Sequence, residues 1–185
     1  MATKLVILCL LLSVLDVTAT GPKVSYAKKM DPKTLKMDRH FLVHFHLYWH
    51  DTVSGAKPSS VAVLPPRNKA TVFGELNFFD NPLTIGPEPS SRRVGRSQGM
   101  YAGTAHDQIG LMMGMTFAFT TGKYNGSSFT VFGRNAIAEH EREMPVVGGT
   151  GKFRFARGYA LAKTHHLNPS TFDAVVEYDI YVLHY

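Results

Sequence analysis

The chain has 185 residues, of which 44% are hydrophobic and 18% charged, and these values indicate one globular domain rather than a disordered chain. The formal net charge is +6, but the basic residues are scattered and their clusters do not alternate with aromatic residues, so we expect no nucleic-acid binding. The sequence has a single cysteine, Cys9, which excludes an internal disulfide and a multi-cysteine metal site.

Residues 1–19 have the pattern of a cleaved signal peptide. Lys4 supplies a positive start, residues 5–15 are apolar, and Val17, Thr18 and Ala19 offer small residues for cleavage. The apolar run is too short to cross a bilayer comfortably, and no later segment is long enough to do so, so no membrane anchor is expected. We therefore expect secretion, with cleavage after Ala19, which also removes Cys9.

Residues 20–38 are polar and rich in lysine, and we interpret them as a flexible N-terminal arm. The domain follows at 39–185 and begins with a strand pattern whose odd positions from Phe41 to Trp49 are apolar and end in Asp51. Alternating segments separated by turns continue to the C-terminus, interrupted by a proline-rich loop over 80–93 and a glycine-rich turn over 147–151. Some eight strands joined in this way predict an all-β antiparallel barrel or sandwich, and closure into a barrel is favoured because it leaves no free edges.

Three predicted strands have one bulky face and one face of small residues. The small faces are 95, 97, 99, 103 and 105; 110, 114, 116 and 118; and 156, 158, 160, 162 and 164. If these faces point inward, the barrel has a central cavity; if they point outward, the bulky faces fill it and subunits can pack closely. Tyr101 within the first small face and Thr164 within the third favour the cavity.

Several side chains are candidates for chemistry. Asp51 continues an apolar face at a strand end, where desolvation would raise its pKa toward the range of a general acid, although a strand-end Asp also commonly bonds local backbone amides. Arg142 is a candidate pocket cation, whereas Arg157 falls on a bulky face. The sequon at Asn125 predicts glycosylation.

Histidines occupy alternate positions on the first strand at 40, 44, 46 and 50. An H-x-H pair on a strand is a common metal-binding pattern. No glutamate or later histidine follows at a fixed spacing, so we interpret these residues as a polar outer face and expect no metal site.

Seven segments of the chain together resemble the plant dirigent proteins. They are HD (50–51), DNPLT (80–84), VGRSQGMY (94–101), GKYNGS (122–127), GRN (133–135), REMPVVGGTG (142–151) and FRFARGY (153–159). The resemblance covers roughly residues 40–185 in the family's order. It implies an eight-stranded barrel with a cavity, assembled as a trimer with a dimer as the alternative, glycosylated, apoplastic and without a cofactor.

The resemblance also implies a function. An external laccase or peroxidase makes phenoxy radicals from coniferyl alcohol, and the dirigent protein holds them so that coupling gives one stereoisomer, typically a lignan. An alternative is the reaction of the related pterocarpan synthases, which remove water from an isoflavanol through a quinone methide. A second alternative is a barrel that binds phenolics or wall polymer without catalysis.

The resemblance assigns roles to residues. Asp51, Tyr101 and Arg142 match the catalytic aspartate, tyrosine and arginine, and Thr164 matches a threonine that lines the cavity. Asn135 stands where lignan-forming members have a second aspartate, which is a pattern of the branch close to pterocarpan synthases. Gly103 stands where those members often have a second tyrosine, and we expect it to leave extra room for a substrate.

Overall fold

The computed structural model describes residues 26–185, so the predicted signal peptide and the first part of the arm lie outside the described residues. No α-helix occurs within 26–185, and none of the short 3₁₀ helices there is long and apolar enough to cross a membrane. In the arm, a 3₁₀ helix spans Pro32–Leu35, and the Asp31 side chain caps it by accepting a hydrogen bond from the Lys33 amide.

The described part of the chain contains nine strands and two further 3₁₀ turns. The strands are β1 (Phe41–Asp51), β2 (Ser60–Leu64), β3 (Leu76–Thr84), β4 (Arg93–Gly103), β5 (Leu111–Phe119), β6 (Ser128–Asn135), β7 (Arg142–Thr150), β8 (Arg157–Leu167) and β9 (Ala174–His184). The 3₁₀ turns span Gly122–Tyr124 and Gly151–Phe153.

All strand pairs are antiparallel, and the sheet closes on itself. β3 to β9 form a continuous meander, β9 pairs with β1 over the full length of both strands, and β1 pairs with β3 at Tyr48–Thr84 and Trp49–Leu83. β2 pairs with the other half of the same β3 edge, beginning at Ser60–Phe79, so β1 and β2 together fill one position in the wall. The predicted eight-stranded antiparallel barrel is confirmed.

The barrel interior is filled mainly by large apolar side chains. Those with less than 2% exposure include Leu83, Met115, Phe117, Phe129, Val131, Met144, Phe153, Tyr178, Ile180 and Val182. At the end where β1 begins, Phe45 contacts the rings of Phe119, Tyr124, Phe129 and Phe153 at centroid distances of 5.0–5.8 Å. Burial of this aromatic cluster closes that end of the barrel with apolar surface.

The three small-residue faces do not all point the same way. Ser97 of β4 and Ala160 and Ala162 of β8 are buried in the interior, as the cavity interpretation requires. In β5 the bulky face is inside, with Phe117 fully buried, so the small face that contains Gly114 points outward. The cavity interpretation is therefore wrong for this strand. Alternation shows that a strand has two faces, but the interior space that neighbouring strands leave decides which one turns inward.

Two predicted connections differ from the structure. The glycines predicted to form a turn at 147–151 continue β7, since Gly148 and Gly149 pair with β6, and the chain turns only at 151–156, where Gly151 and Phe155 have positive φ. The proline-rich loop predicted over 80–93 is shorter, because β3 continues to Thr84 before Pro-rich residues 85–92 make the connection. Cross-strand hydrogen bonding outweighs the local turn preference of both segments.

Gly103 provides a test of how tightly the backbone packs at the end of β4. A Cβ on Gly103 would collide with the Val72 carbonyl, whereas one on Gly148 would meet nothing within 4 Å. We expect Gly103→Ala to reduce the free energy of unfolding by about 1–3 kcal/mol, since backbone atoms must move. Gly148→Ala, at negative φ and in open space, should leave it nearly unchanged. Urea denaturation measures both, and equal stabilities of the two variants would contradict this packing.

Candidate functional site

The closed register brings the candidate residues to one end of the barrel. Neighbouring strands run in opposite directions, so the ends of β1, β4, β6 and β8 lie at the same end as the start of β7. The side chains there are those of Asp51, Tyr101, Asn135, Arg142 and Thr164. We call this the Asp51 end.

Asp51 is a buried acid with few partners. Its side chain is 8% exposed, and its Oδ1 accepts a hydrogen bond of 3.0 Å from Asn81 Nδ2. Burial raises the pKa of Asp51 to about 6, although hydrogen bonds from Asn81 and Ser60 act in the opposite direction. An acid with this pKa can both donate and accept a proton near pH 6, which suits general acid catalysis.

Tyr101 is connected to Asp51 through Ser60. The Tyr101 hydroxyl lies 3.2 Å from Ser60 Oγ, and its ring stacks on Phe79 at a centroid distance of 6.0 Å. Burial, together with the charge of Asp51, raises the pKa of Tyr101 above its usual range, so its hydroxyl stays protonated. When Asp51 is ionised, Ser60 can donate its one proton to the carboxylate and accept one from Tyr101.

The connection between β1 and β2 fixes this arrangement. The amides of Ser59 and Ser60 both donate to the Thr52 carbonyl, at 2.8 and 3.1 Å. Asp173, in the loop before β9, accepts from the amides of Val53 and Ser54 at 2.8 and 3.0 Å. The loop therefore has bonds at both ends, and the distance from Asp51 to Ser60 is set by backbone contacts rather than by flexible side chains.

Arg142 is a buried cation that pairs with an amide. It is 4% exposed, and its Nε donates to Asn135 Oδ1 at 3.1 Å, while Asn135 Nδ2 contacts Met113 Sδ at 2.9 Å. None of the ion pairs among residues 26–185 involves Arg142. Burial lowers the pKa of Arg142, but a guanidinium remains charged under these conditions. The site thus presents an unneutralised positive charge that favours a phenolate or carbonyl oxygen.

Three other candidate residues do not contribute to the interior site as expected. Thr164 is exposed at the rim, where it pairs with Val176, the residue opposite Trp49. Gly103 does not leave extra room, because the Val72 backbone occupies the space beside it, and that interpretation is wrong. Arg157, the weaker cation candidate, is exposed on the outside of β8.

Asp51 also borders a pocket of about 480 Å³ at the edge of the barrel. The pocket is lined by His50, Asp51, Thr52, Pro82, Pro89, Arg93, His166, Asn168, Asp173, Ala174 and Val175. Tyr101 and Arg142 are not among these residues, so Asp51 lies between this pocket and the interior side chains. Inside the barrel, three buried polar atoms have no partner within residues 26–185, namely Trp49 Nε1, Asn81 Oδ1 and Ser97 Oγ. Such atoms are available to hydrogen-bond a polar ligand.

Three residues of the site escaped sequence reasoning. Asn81 lies inside the DNPLT motif, but nothing in that motif marks it as a partner of Asp51, and the sequence around Ser60 carries no signal. Tyr178 is fully buried, its hydroxyl lies 3.6 Å from Met115 Sδ, and its pKa is raised by burial while the charge of Arg142 lowers it. Its place on the apolar face of the last strand predicts only a core position.

The histidine face has acidic neighbours that the sequence did not predict. Glu177 and Asp179 of β9 lie beside His44 and His46 of β1, at nitrogen–oxygen distances of 2.7–3.5 Å. Sequence spacing does not indicate these acids, because they lie more than 130 residues after the histidines and meet them only through strand pairing. His50 lies apart from them, buried and bonded to Thr84 Oγ1 at 2.7 Å.

Asn125, the predicted glycosylation site, is exposed at the end of the 3₁₀ turn between β5 and β6.

Together, the strands and the side chains at one end define a small closed antiparallel β-barrel with a buried acid, a buried hydroxyl and a buried cation. The dirigent-like protein family model matches residues 42–183, and the chain belongs to the dirigent family.

Relatives cover nearly the whole chain. Dirigent protein 7 of Arabidopsis thaliana is 45% identical over 98% of this chain and 97% of its own, and pterocarpan synthase 1 of Glycyrrhiza echinata is 48% identical over 95% and 92%. The solved structure of the pterocarpan synthase dirigent protein GePTS1 is 47% identical, covers 86% of this chain and 99% of its own, and superposes with a TM-score of 0.79.

The pKa of Asp51 predicts how stability depends on pH. Because folding raises this pKa from 3.8 to about 6, the folded state binds more protons between these values, and stability contributed by Asp51 falls as the pH rises through them, by about 3 kcal/mol. Asp51→Asn removes this dependence. The free energy of unfolding of the variant minus that of the wild-type protein should therefore increase from pH 4 to pH 7, by up to about 3 kcal/mol. Urea denaturation across this pH range measures it.

Asp80→Asn is the matched control. The hydrogen bond from Arg96 lowers the pKa of Asp80, so loss of this charge should not increase stability at pH 7. A stability difference between Asp51→Asn and the unchanged protein that stays constant with pH would contradict the raised pKa of Asp51.

Proposed function

We propose that this protein binds a phenolic substrate at the Asp51 end and that Asp51 is the general acid of a quinone-methide reaction. The reaction that the geometry supports best is loss of water from an isoflavanol-type substrate without an oxidant. The observation that carries this proposal is the arrangement of Asp51, the one buried acid among residues 26–185, and of the amide Asn135 beside the buried cation Arg142. The pterocarpan synthases among the relatives support the same choice.

In the proposed reaction, protonated Asp51 donates to the leaving hydroxyl of the substrate. The carbon–oxygen bond breaks with its electron pair on oxygen, water leaves, and a phenolic hydroxyl gives up its proton to yield a neutral quinone methide. A second phenolic hydroxyl then adds to the electrophilic carbon, and its proton restores the ring hydroxyl. The proton that Asp51 gave up returns from the first phenolic hydroxyl, so the net change is the loss of one water.

The other residues have positioning and electrostatic roles in this proposal. Arg142 stabilises the oxygen that gains negative charge as the quinone methide forms, since its own charge is not neutralised by a carboxylate. Tyr101 donates a hydrogen bond and keeps its proton throughout. Thr164 at the rim contacts the end of the substrate that faces solvent.

A second candidate is the stereoselective coupling of phenoxy radicals supplied by an external laccase or peroxidase, as in lignan formation. Arg142 and Tyr101 are two separate donors and suit two phenolic oxygens, which favours this reading. Asn135 weighs against it, because an amide cannot protonate a second quinone methide. A third outcome is a barrel that binds phenolics or wall polymer without catalysis.

We also propose that the protein is secreted to the apoplast, processed near Ala19 and glycosylated at Asn125. The signal pattern of residues 1–19 and the exposure of Asn125 support this.

For assembly, we infer a homo-oligomer, with a trimer as the expected form. An apolar row crosses β2 to β6 on the outside of the barrel, where strand register places Val61, Phe78, Met100, Gly114 and Phe132 side by side. The four large side chains are 43–47% exposed. Gly114 and the outward small lane of β5 allow a second barrel to approach closely.

The activity test uses purified protein in two mixtures: an isoflavanol alone, and coniferyl alcohol with a one-electron oxidant. We expect water loss in the first mixture, with a rate that falls about tenfold per pH unit above pH 6, since Asp51 must be protonated. Asp51→Asn should lower kcat by about 10²–10⁴. Chiral chromatography measures both products, and Asp80→Asn is the control that should remain active.

Each result separates the candidates. Enantiomeric excess only in the oxidant mixture would support radical coupling, and not dehydration, as the function. Activity in neither mixture, with retained binding of the phenol, would favour the binding protein. Unchanged activity of Asp51→Asn would remove Asp51 from its assigned role.

The assembly test replaces a residue in the apolar row. We expect Phe132→Lys to convert the oligomer to a monomer, because a charge would be buried between subunits. Phe172→Lys, in the exposed loop between β8 and β9, should leave assembly unchanged. Light scattering after size exclusion measures the mass, and a monomeric unchanged protein would refute the proposed interface.

A further inference from the structure

The outer face of β1 and β9 carries a cluster that the proposed reaction does not use. Strand register pairs His44 with Tyr181 and His46 with Asp179, so the two imidazoles and the Asp179 carboxylate all project from the same side of the sheet. The cluster lies outside the barrel, whereas Asp51 and Trp49 of the same strand face inside.

The nitrogen and oxygen atoms in this cluster converge. Asp179 Oδ1 lies 2.7 Å from His44 Nε2 and 3.0 Å from His46 Nδ1. One nitrogen of His46 and one oxygen each of Glu177 and Asp179 lie within 4.8 Å of one another. Ligand atoms of a tetrahedral ion with bonds of about 2.0–2.1 Å are roughly 3.4 Å apart, so only small side-chain rotations separate this arrangement from a coordination shell.

The orientation of the ligands is partly fixed. The His44 ring stacks on Tyr181 with centroids 4.5 Å apart and an interplanar angle of 10°, and the Tyr48 hydroxyl lies 3.2 Å from His46 Nε2. Held rings lose less conformational freedom when they bind an ion. Groups that orient imidazoles in this way are typical of metal sites.

The charge balance also favours a cation. Glu177 and Asp179 place two carboxylates on one small area of the sheet, and their side chains are 27% and 25% exposed. Lys163 of β8 is the neighbouring cation, but it already forms an ion pair of 2.9 Å with Glu141. A divalent ion would neutralise both carboxylates.

From these observations we propose a binding site for a late first-row divalent transition-metal ion such as Zn²⁺, with His44, His46 and Asp179 as ligands and Glu177 as the fourth. Two imidazoles with two carboxylates suit Zn²⁺, Cu²⁺ or Ni²⁺ and disfavour Ca²⁺ and Mg²⁺, which prefer all-oxygen ligands. The ion would join β1 to β9. None of the four proposed ligands belongs to the apolar row proposed for assembly, which lies on β2 to β6.

The experiment is a calorimetric titration of the tag-free mature protein, residues 20–185, with ZnCl₂, with CaCl₂ and MgCl₂ as separate arms. We expect one Zn²⁺ per chain and no saturable binding of Ca²⁺ or Mg²⁺. His46→Ala and Asp179→Asn should each weaken Zn²⁺ binding at least about tenfold. His140→Ala, which removes an exposed imidazole elsewhere, should not change it.

Thermal unfolding supplies a second readout. At a Zn²⁺ concentration about a hundred times Kd, the Tm should rise by roughly 5–10 °C, and His46→Ala should abolish the rise. His44→Ala is a further variant, so that misfolding of one variant does not decide the result. Absence of saturable Zn²⁺ binding, or binding that His46→Ala and His44→Ala leave unchanged, would overturn the proposal. Neither outcome depends on the reaction assigned to Asp51.

Discussion

The site depends on how the barrel closes. β1 and β2 pair with successive parts of the same edge of β3. In the barrel wall, β2 therefore replaces β1 between Asp51 and Ser60. If β1 ended and β2 did not continue along the same edge, Asp51 would lie in solvent at the rim of the barrel. Instead, the Thr52 carbonyl and Asp173 hold the connecting loop across the edge, and Asn81 of β3 reaches Asp51 from the shared edge. The contacts that close the sheet therefore also bury Asp51.

Burial has opposite consequences for stability and for chemistry. A carboxylate with one strong hydrogen bond is destabilising inside a barrel at neutral pH, and the same desolvation makes its proton available near pH 6. Burial of Arg142 is also unfavourable for stability, since its guanidinium contacts an amide instead of a carboxylate. The aromatic cluster at the other end of the barrel contributes favourable burial of apolar surface. Active sites commonly retain such unfavourable groups because function requires them.

Cross-strand register assigns a different role to each side of the barrel. Inside, it collects the acid, the hydroxyls and the cation at one end. Outside, it lines up an apolar row over β2 to β6, and on the neighbouring strands β1 and β9 it places two histidines against two acids. These three arrangements combine residues that are far apart in the chain. The separation of a polar face from an apolar face on the outside also leaves both available at once.

The sequence by itself determined the alternation of the strands, the all-β class and the position of Asp51 on an apolar face, because these depend on local periodicity. It also carried the motifs that resemble the dirigent family, including Asn135. It did not determine that the bulky face of β5 points inward or that Gly148 and Gly149 extend β7. Nor did it reveal that Ser60 and Asn81 contact Asp51, or that Glu177 and Asp179 face the histidines. Only the tertiary structure decided these, since each follows from the register between strands, which closure of the whole sheet fixes and no single segment encodes.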